Sequence, residues 1–271
     1  MPITGIDHDK CIKCYNCLDA CTDPGAYIQL DEEKDEIVFE DSNFGCIKCG
    51  QCVAQCPEDA ILYEDMGEAF TFDKINDLPG LIDYDTLFNF MAANRSIRFY
   101  KDKKVPQELL DKVIDAMNRA PTAANMRSEK FYIVSDSEKI KALSDAIYEE
   151  FLKDPSEKEH WQERKENYGR TSREPVFYNA PHAILVSSNF NMMMEGFNIG
   201  NIVTYGRLAA QSLGLGTCWI GYVTMANEKN PKIAKIVNAR GKIIGAFTIG
   251  YPDVKFYRVP PRSEKRVKII D

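Results

Sequence analysis

The 271-residue chain has no run of about eighteen apolar residues, so no segment of it reads as a membrane-spanning helix. Its opening residues show no basic start, apolar core and cleavage site. That argues against export, and so against a disulfide framework for its nine cysteines. Histidine is scarce: of three, His182 reads as a structural residue at a strand entrance, and His8 and His160 lie among charges on the surface. No phosphate-binding P-loop, metalloprotease helix, hydrolase nucleophile elbow or kinase signature is present. These absences leave the chemistry to bound cofactors.

What the chain does have is one cysteine spacing written twice, CIKCYNCLDAC at 11–21 and CIKCGQCVAQCP at 46–57. Each run is C-x2-C-x2-C-x3-C, a spacing that grips an iron–sulfur cube on a tight loop. Zinc also takes four thiolates, but its ribbons separate two cysteine pairs by a long spacer, whereas here three cysteines share each short loop. Over its first 65 residues the chain resembles two-cluster bacterial ferredoxins, including the endings DPGAYIQL and PEDAILYE. One departure is that Thr22 follows Cys21, where Pro57 follows Cys56. The resemblance implies a pseudo-twofold fold in which each half adds a short hairpin and a helical turn. It also implies two [4Fe–4S] clusters with crossed ligands: Cys11, Cys14, Cys17 and Cys56 on one, Cys46, Cys49, Cys52 and Cys21 on the other. Such cysteines need a reducing interior, which places the protein in the cytoplasm of an anaerobic or micro-aerobic cell.

Charge is unevenly divided. Residues 1–65 hold fifteen acidic against four basic side chains, a net of −11, and the remainder, with thirty basic and twenty-six acidic, carries +4. The overall −7 therefore hides an acidic head on a mildly basic body. An acidic head disfavours nucleic acid, whose phosphates need a basic face. It either steers a basic redox protein toward the clusters or serves as a solvated hairpin.

The expected organisation is a ferredoxin-like domain over 1–63, a linker over 64–82 marked by Gly67, Pro79 and Gly80, and a larger domain over 83–271. In that larger domain DYDTLFNFMAAN and PQELLDKVIDAMNRA read as helices, the second with Pro106 in its first turn and an apolar stripe of Leu109, Leu110, Val113, Ile114 and Met117. SEKIKALSDAIYEEFL and EGFNIGNIVTYGRLAAQSLG also read as helices, the latter ending where Gly214 takes a left-handed cap. FYIVS, AILVSS, CWIG and KIIGAFTIG read as buried strands. The class is α+β.

Four landmarks in order resemble the nitroreductase family of FMN enzymes: NRSIRFY at 94–100, APTAANMRSEKFYIV at 120–134, FYNAPHAILV at 177–186 and LAAQSLGLGTCWIG at 208–221, with VPPRSEKRV following. The resemblance implies a mixed, largely antiparallel sheet flanked by helices, in a homodimer with two flavins at the subunit interface. It implies that Arg95, Ser96 and Arg98 hold the FMN phosphate and ribityl groups, Arg98 reaching toward the flavin pyrimidine edge, because a phosphate dianion suits forked guanidinium donors. Many family members have two successive arginines before the serine; here the first is Asn94, which raises the importance of Arg262. Thr122 and Asn125 match flavin contacts from the other subunit, and Trp219, Ile220 and Gly221 match a wall beside the ring with backbone amides available to it. Gln-Pro-Trp in many members is replaced by Arg127, Ser128 and Glu129, a change expected near the substrate mouth. Cys218 reads as a small buried hydrophobe rather than a nucleophile.

Clusters pass single electrons and flavin handles pairs, so the expected activity is an oxidoreductase. A low-potential donor such as ferredoxin or flavodoxin loads the clusters, and a small organic acceptor (a nitroaromatic, a quinone or an activated double bond) leaves reduced. The alternatives are an NAD(P)H-dependent FMN reductase that exports electrons through its clusters, and a redox adaptor or sensor without catalysis.

Overall fold

A computed structural model describes residues 3–65, 67–189 and 194–270. The chain divides into two compact units, Met1–Leu81 with Ala124–Met126, and Ile82–Ala123 with Arg127–Asp271. The stretch 64–82, expected as a linker, therefore groups almost wholly with the first unit, where Leu78–Leu81 forms a helical turn and Lys74 Nζ donates to the Gly80 carbonyl.

The first unit contains β1 (Ile3–Ile6), α1 (Asn16–Asp19), β2 (Ile28–Asp31), β3 (Glu36–Phe39), α2 (Gln51–Gln55), β4 (Ile61–Tyr63) and α3 (Leu78–Leu81). The expectation of one hairpin per half is corrected by the pairing. β2 and β3 form a hairpin, but β1 pairs antiparallel with β4, bringing together segments about sixty residues apart on either side of both cysteine runs. Strands of three or four residues have too few ladder bonds to stand alone, and this closure gives both pairs a common apolar face. That face is narrow: Ile3, Ile6, Ile28, Ile37 and Ile61 are buried around Cys17.

The second unit begins with α4 (Tyr84–Ala92), α5 (Gln107–Asn118), β5 (Lys130–Val134), α6 (Ser137–Leu152) and α7 (Pro155–Gly169). It continues with β6 (His182–Ser188), α8 (Glu195–Ser212), β7 (Gly216–Trp219), α9 (Gly221–Lys229), α10 (Lys232–Lys235) and β8 (Lys242–Gly250). The sheet runs β5-β6-β8-β7 with every neighbouring pair antiparallel. A single parallel bridge, Ser96 to Thr217, lays the 94–98 segment along the outer side of β7 and makes the sheet mixed.

Alternation along the two central strands builds two cores. On β6, Ala183 and Leu185 face one layer and Ile184 and Val186 the other. The first layer is closed by Leu143, Ile147 and Phe151 of α6, Trp161 of α7 and Val223 of α9. The second is closed by Leu110, Val113 and Met117 of α5 and Ile202 and Val203 of α8. Each fully buried large side chain of this kind contributes about 1.5–3 kcal/mol. At the free end of the first layer Trp161 stacks on Phe151 with ring centroids 4.5 Å apart and meets Tyr222 edge-on at 4.8 Å.

Several helix ends follow their residue types. Asp136 caps α6 by accepting from the Glu138 and Lys139 amides, and Gly214, with φ of 73°, stops α8 as its sequence predicts. Pro106 stands at the N-cap of α5. The strand expected over CWIG ends at Trp219, and Gly221 already opens α9. A short apolar run cannot choose between strand and helix by periodicity. Among the described residues no helix is long and apolar enough to cross a membrane.

Candidate functional site: two thiol cavities and an arginine cleft

The two cysteine loops are built alike. Lys13 and Tyr15 have φ of 56° and 61°, and the corresponding Lys48 and Gly50 have φ of 58° and 74°. Left-handed residues at matching places in a short loop are a backbone pattern from which concave anion sites are built. Tyr15 and Gly50 then start α1 and α2, which carry Cys17 and Cys52.

Cys11, Cys14, Cys17 and Cys56 surround one cavity, with Ile6 and Ile61 behind them. Cys21, Cys46, Cys49 and Cys52 surround another, backed by Ile3 and Ile28. Each cavity thus takes three cysteines from one run and the last from the other. Among the described residues no three Cys, His, Asp or Glu side chains converge as a single metal ion would require. Four thiols spread around an apolar cavity instead suit a larger, thiolate-held inorganic body, and the donor set fits [4Fe–4S]. Burial pushes the Cys17 and Cys46 thiols up, and the Cys52 thiol up to about 11. A bound cation reverses that shift. The Ala60 amide lies 3.2 Å from Cys56 Sγ and donates to it, the kind of contact that sets a cluster's potential.

In the second unit a cleft of about 570 Å³ is lined by Asn94, Arg95, Ser96, Arg98, Arg207 and Arg262, with Met91 and Phe256 at its edges. The segment that supplies the first four is pinned to β7, since the Ile97 amide donates to the Thr217 carbonyl at 2.8 Å. The approach requires glycine at 216, where a Cβ would stand 2.5 Å from Ile97 Cγ1 and 2.8 Å from its Cβ. Tyr100 locks the far end of the segment: its hydroxyl lies 2.6 Å from the Ile97 carbonyl and 2.7 Å from Thr248 Oγ1. Among the described residues none of the four arginines has a carboxylate within ion-pair distance. Four guanidinium groups without a counter-charge favour an anion with several oxygens.

The remaining residues singled out in the sequence lie elsewhere. Thr122 Oγ1 accepts from the Arg127 amide and shapes the turn after α5. Asn125 belongs to the first unit, where its side-chain amide donates to the carbonyls of Ile47 and Lys48. Trp219 is half-buried at the end of β7. Ile220 faces the core and its amide donates to the Ala246 carbonyl at 2.8 Å, so the expectation that this amide is available to a ligand is not met. Gly221 has open space where a Cβ would be. Of the altered stretch, Arg127 donates to Asn118, Glu129 accepts from Asn198, and Ser128 Oγ is buried without a partner. Cys218 is buried, and burial pushes its thiol up despite the nearby Arg98 and Arg207. His182 is satisfied on both nitrogens, Nε2 accepting from the Val105 amide and Nδ1 paired with Ser135 Oγ. His8 and His160 are exposed.

Four residues lining the cleft were missed in the sequence, Met91, Ala92, Arg207 and Phe256. The apolar stripe of α8 held the signal for Arg207. Ile199, Ile202, Val203, Gly206 and Ala210 face inward, so Arg207 falls at the margin of the buried face, one step from Gly206.

Comparison with known proteins agrees with these parts. An NADH dehydrogenase/NAD(P)H nitroreductase of Methanothermobacter thermautotrophicus, so named provisionally, is 25% identical over 181 residues, 65% of this chain and 82% of its own. An iodotyrosine deiodinase of Thermotoga neapolitana is 26% identical over 174 residues, 62% of this chain and 89% of its own. The crystal structure of a nitroreductase with bound FMN from Bacteroides fragilis NCTC 9343 shares the fold with a TM-score of 0.60 at 22% identity, covering 68% of this chain and 98% of that one. The model of the 4Fe-4S dicluster domain matches residues 10–61, within the unit that holds both thiol cavities. Because the nitroreductase family model matches residues 91–251, more than half of the sequence, this chain belongs to the nitroreductase family and carries a 4Fe-4S dicluster domain at its N-terminal end.

Proposed function

We propose that the protein is an FMN- and iron–sulfur-dependent oxidoreductase that takes single electrons from a low-potential carrier such as ferredoxin or flavodoxin and reduces a small organic acceptor. The observation that carries this reading is the presence in one chain of two four-thiol cavities and an arginine cleft without acids. When bound, FMN supplies the exchange between single-electron carriers and a two-electron acceptor, and the clusters supply the single-electron store.

The chain's own residues bind and tune. Cys11, Cys14, Cys17 and Cys56 hold one cluster and Cys21, Cys46, Cys49 and Cys52 the other. Arg95, Ser96, Arg98 and Arg262 bind the phosphate and ribityl end of FMN; Arg98, with its guanidinium carbon 5.7 Å from the Tyr178 ring centroid, is held over an aromatic face and keeps positive charge beside the flavin. Thr122, Asn125, Trp219 and Gly221 are proposed to meet the flavin once a second copy completes the site. That homodimer is supported by large apolar groups exposed on α4, namely Tyr84, Leu87, Phe88 and Met91, and on α8, Phe197 and Tyr205. The acceptor is a nitroaromatic, a quinone or an activated double bond. Nucleic acid is not proposed as a partner, and a reducing cytoplasm suits the thiolate-held clusters.

A second reading is favoured by the name of the M. thermautotrophicus relative: NAD(P)H reduces FMN and electrons leave through the clusters. Anaerobic stopped-flow of the oxidised, cluster-loaded protein separates the two. Under the first reading NADH and NADPH leave flavin absorbance unchanged and reduced ferredoxin bleaches it. Rapid bleaching of flavin by either nicotinamide, ahead of the clusters, would replace the first reading by the second.

A further inference from the structure

The arginine cleft has a member on a different element from the others. Arg95, Ser96 and Arg98 come from one extended segment and Arg262 from the C-terminal stretch, but Arg207 projects from the middle of α8. The side chain is fixed from both ends. At its root, Gly206 packs so closely on Met117 and Phe247 that a Cβ there would stand 2.6 Å from Met117 Cγ, so the helix cannot turn without breaking the core. At its head, Arg207 Nε donates to Thr217 Oγ1 at 3.2 Å, which leaves its two terminal nitrogens without a partner among the described residues. One helical turn further on, Gln211 accepts from Asn94 Nδ2 at 2.7 Å and donates to the Phe90 carbonyl at 2.6 Å. The same helix face therefore ties down the uncharged wall of the cleft and places a guanidinium on it.

A half-buried guanidinium with no carboxylate and with another arginine close by is a costly arrangement. Burial and the Arg98 charge both pull Arg207 below its usual range. An oligo-oxygen anion in the cleft removes that cost. We infer that Arg207 is a phosphate-binding residue of the flavin site, supplying from α8 the cation that Asn94 does not provide from the extended segment. The inference rests on the FMN reading given above and assigns to Arg207 recognition of the phosphate alone, not of the ring.

The test uses the full-length, cluster-loaded protein stripped of flavin, titrated separately with FMN and with riboflavin, which lacks the phosphate, by flavin fluorescence. Arg207→Gln is expected to weaken FMN by about 10- to 100-fold, the loss of a charge-assisted bond, and to leave riboflavin affinity unchanged. Asn94→Arg in that background is expected to recover most of the FMN affinity. Unchanged FMN affinity in Arg207→Gln would overturn the inference. Equal losses for FMN and riboflavin would also overturn it, making Arg207 a strut for β7. If Arg207→Gln does not fold, Arg207→Met keeps the apolar stem and is read by the same ratio. A wild-type protein that binds FMN no better than riboflavin would overturn the FMN reading itself, a result distinct from either variant outcome.

Discussion

The two units of this chain reach order by different means. The second has two apolar layers on a four-stranded sheet, with Leu143, Ile147, Val113 and Val203 fully buried. The first has five buried isoleucines around a cysteine, strands of three or four residues, and eighteen acidic side chains of which only Asp41 is buried. A core so small falls short of what a domain of this size needs without staples. The difference teaches that the thiol cavities of the first unit are its interior. There the proposed cluster ligands are part of the core, with Cys17 buried in it and Cys11, Cys52 and Cys56 packed against it, whereas in the second unit the cleft is an addition to a fold with apolar layers of its own.

The largest expected effect separates the units most sharply. Cys56→Ser should lose the irons of both clusters, about eight per chain, together with the visible charge-transfer absorbance. It should also unfold the first unit by limited proteolysis, while the thermal transition of the second unit is unchanged. Retention of a protease-resistant first unit in iron-free protein would break the comparison.

Next comes a pH effect confined to the second unit. His182 is buried, and burial together with the Lys104 charge lowers it from an ordinary 6.5 to about 4. Above 6.5 both folded and unfolded states are neutral at this residue and its contribution is whole. As pH falls from 6.5 toward 4 the unfolded chain takes the proton first, and about 3 kcal/mol of stability is lost. Urea melts of the second unit between pH 7.5 and 4.5 should show this slope, and His182→Gln should flatten it. An unchanged slope in that variant would assign it to other groups.

Gly216→Ala should displace Ile97 and the segment behind it, at a cost of about 1–3 kcal/mol, and should weaken FMN more than it lowers the melting temperature. Equal FMN affinity in this variant would detach the cleft from its support on β7. The smallest effect is expected for Asp136→Ala, which removes the cap of α6 and costs about 1 kcal/mol by denaturant titration, without touching flavin or iron content.

Much of this was legible in the sequence because the residues involved act locally. Helix α6 coincides with SEKIKALSDAIYEEFL, whose apolar residues mark it, and the grouping of the cysteines is the one that the ferredoxin resemblance of the repeated runs implies. α7 was missed because only Trp161 of its fifteen residues is buried, so no stripe marks it. The pairing of β1 with β4 was missed because it joins segments that no local pattern relates. Arg207 was missed for a similar reason. On α8 it reads as a polar interruption of an apolar face, and only the approach of β7 and the 94–98 segment shows what it faces. The same long-range view shows why the Ile220 amide is spent: β8 passes beside it and takes the bond.

The buried ninth cysteine has a practical consequence. Cys218 is 1% exposed and its thiol is pushed above the usual range, so it should be silent toward thiol reagents in native protein. Thiol titration then becomes a direct gauge of assembly, counting eight reactive groups in iron-free protein and falling as clusters are built. A ninth equivalent appearing would report that the second unit has come apart.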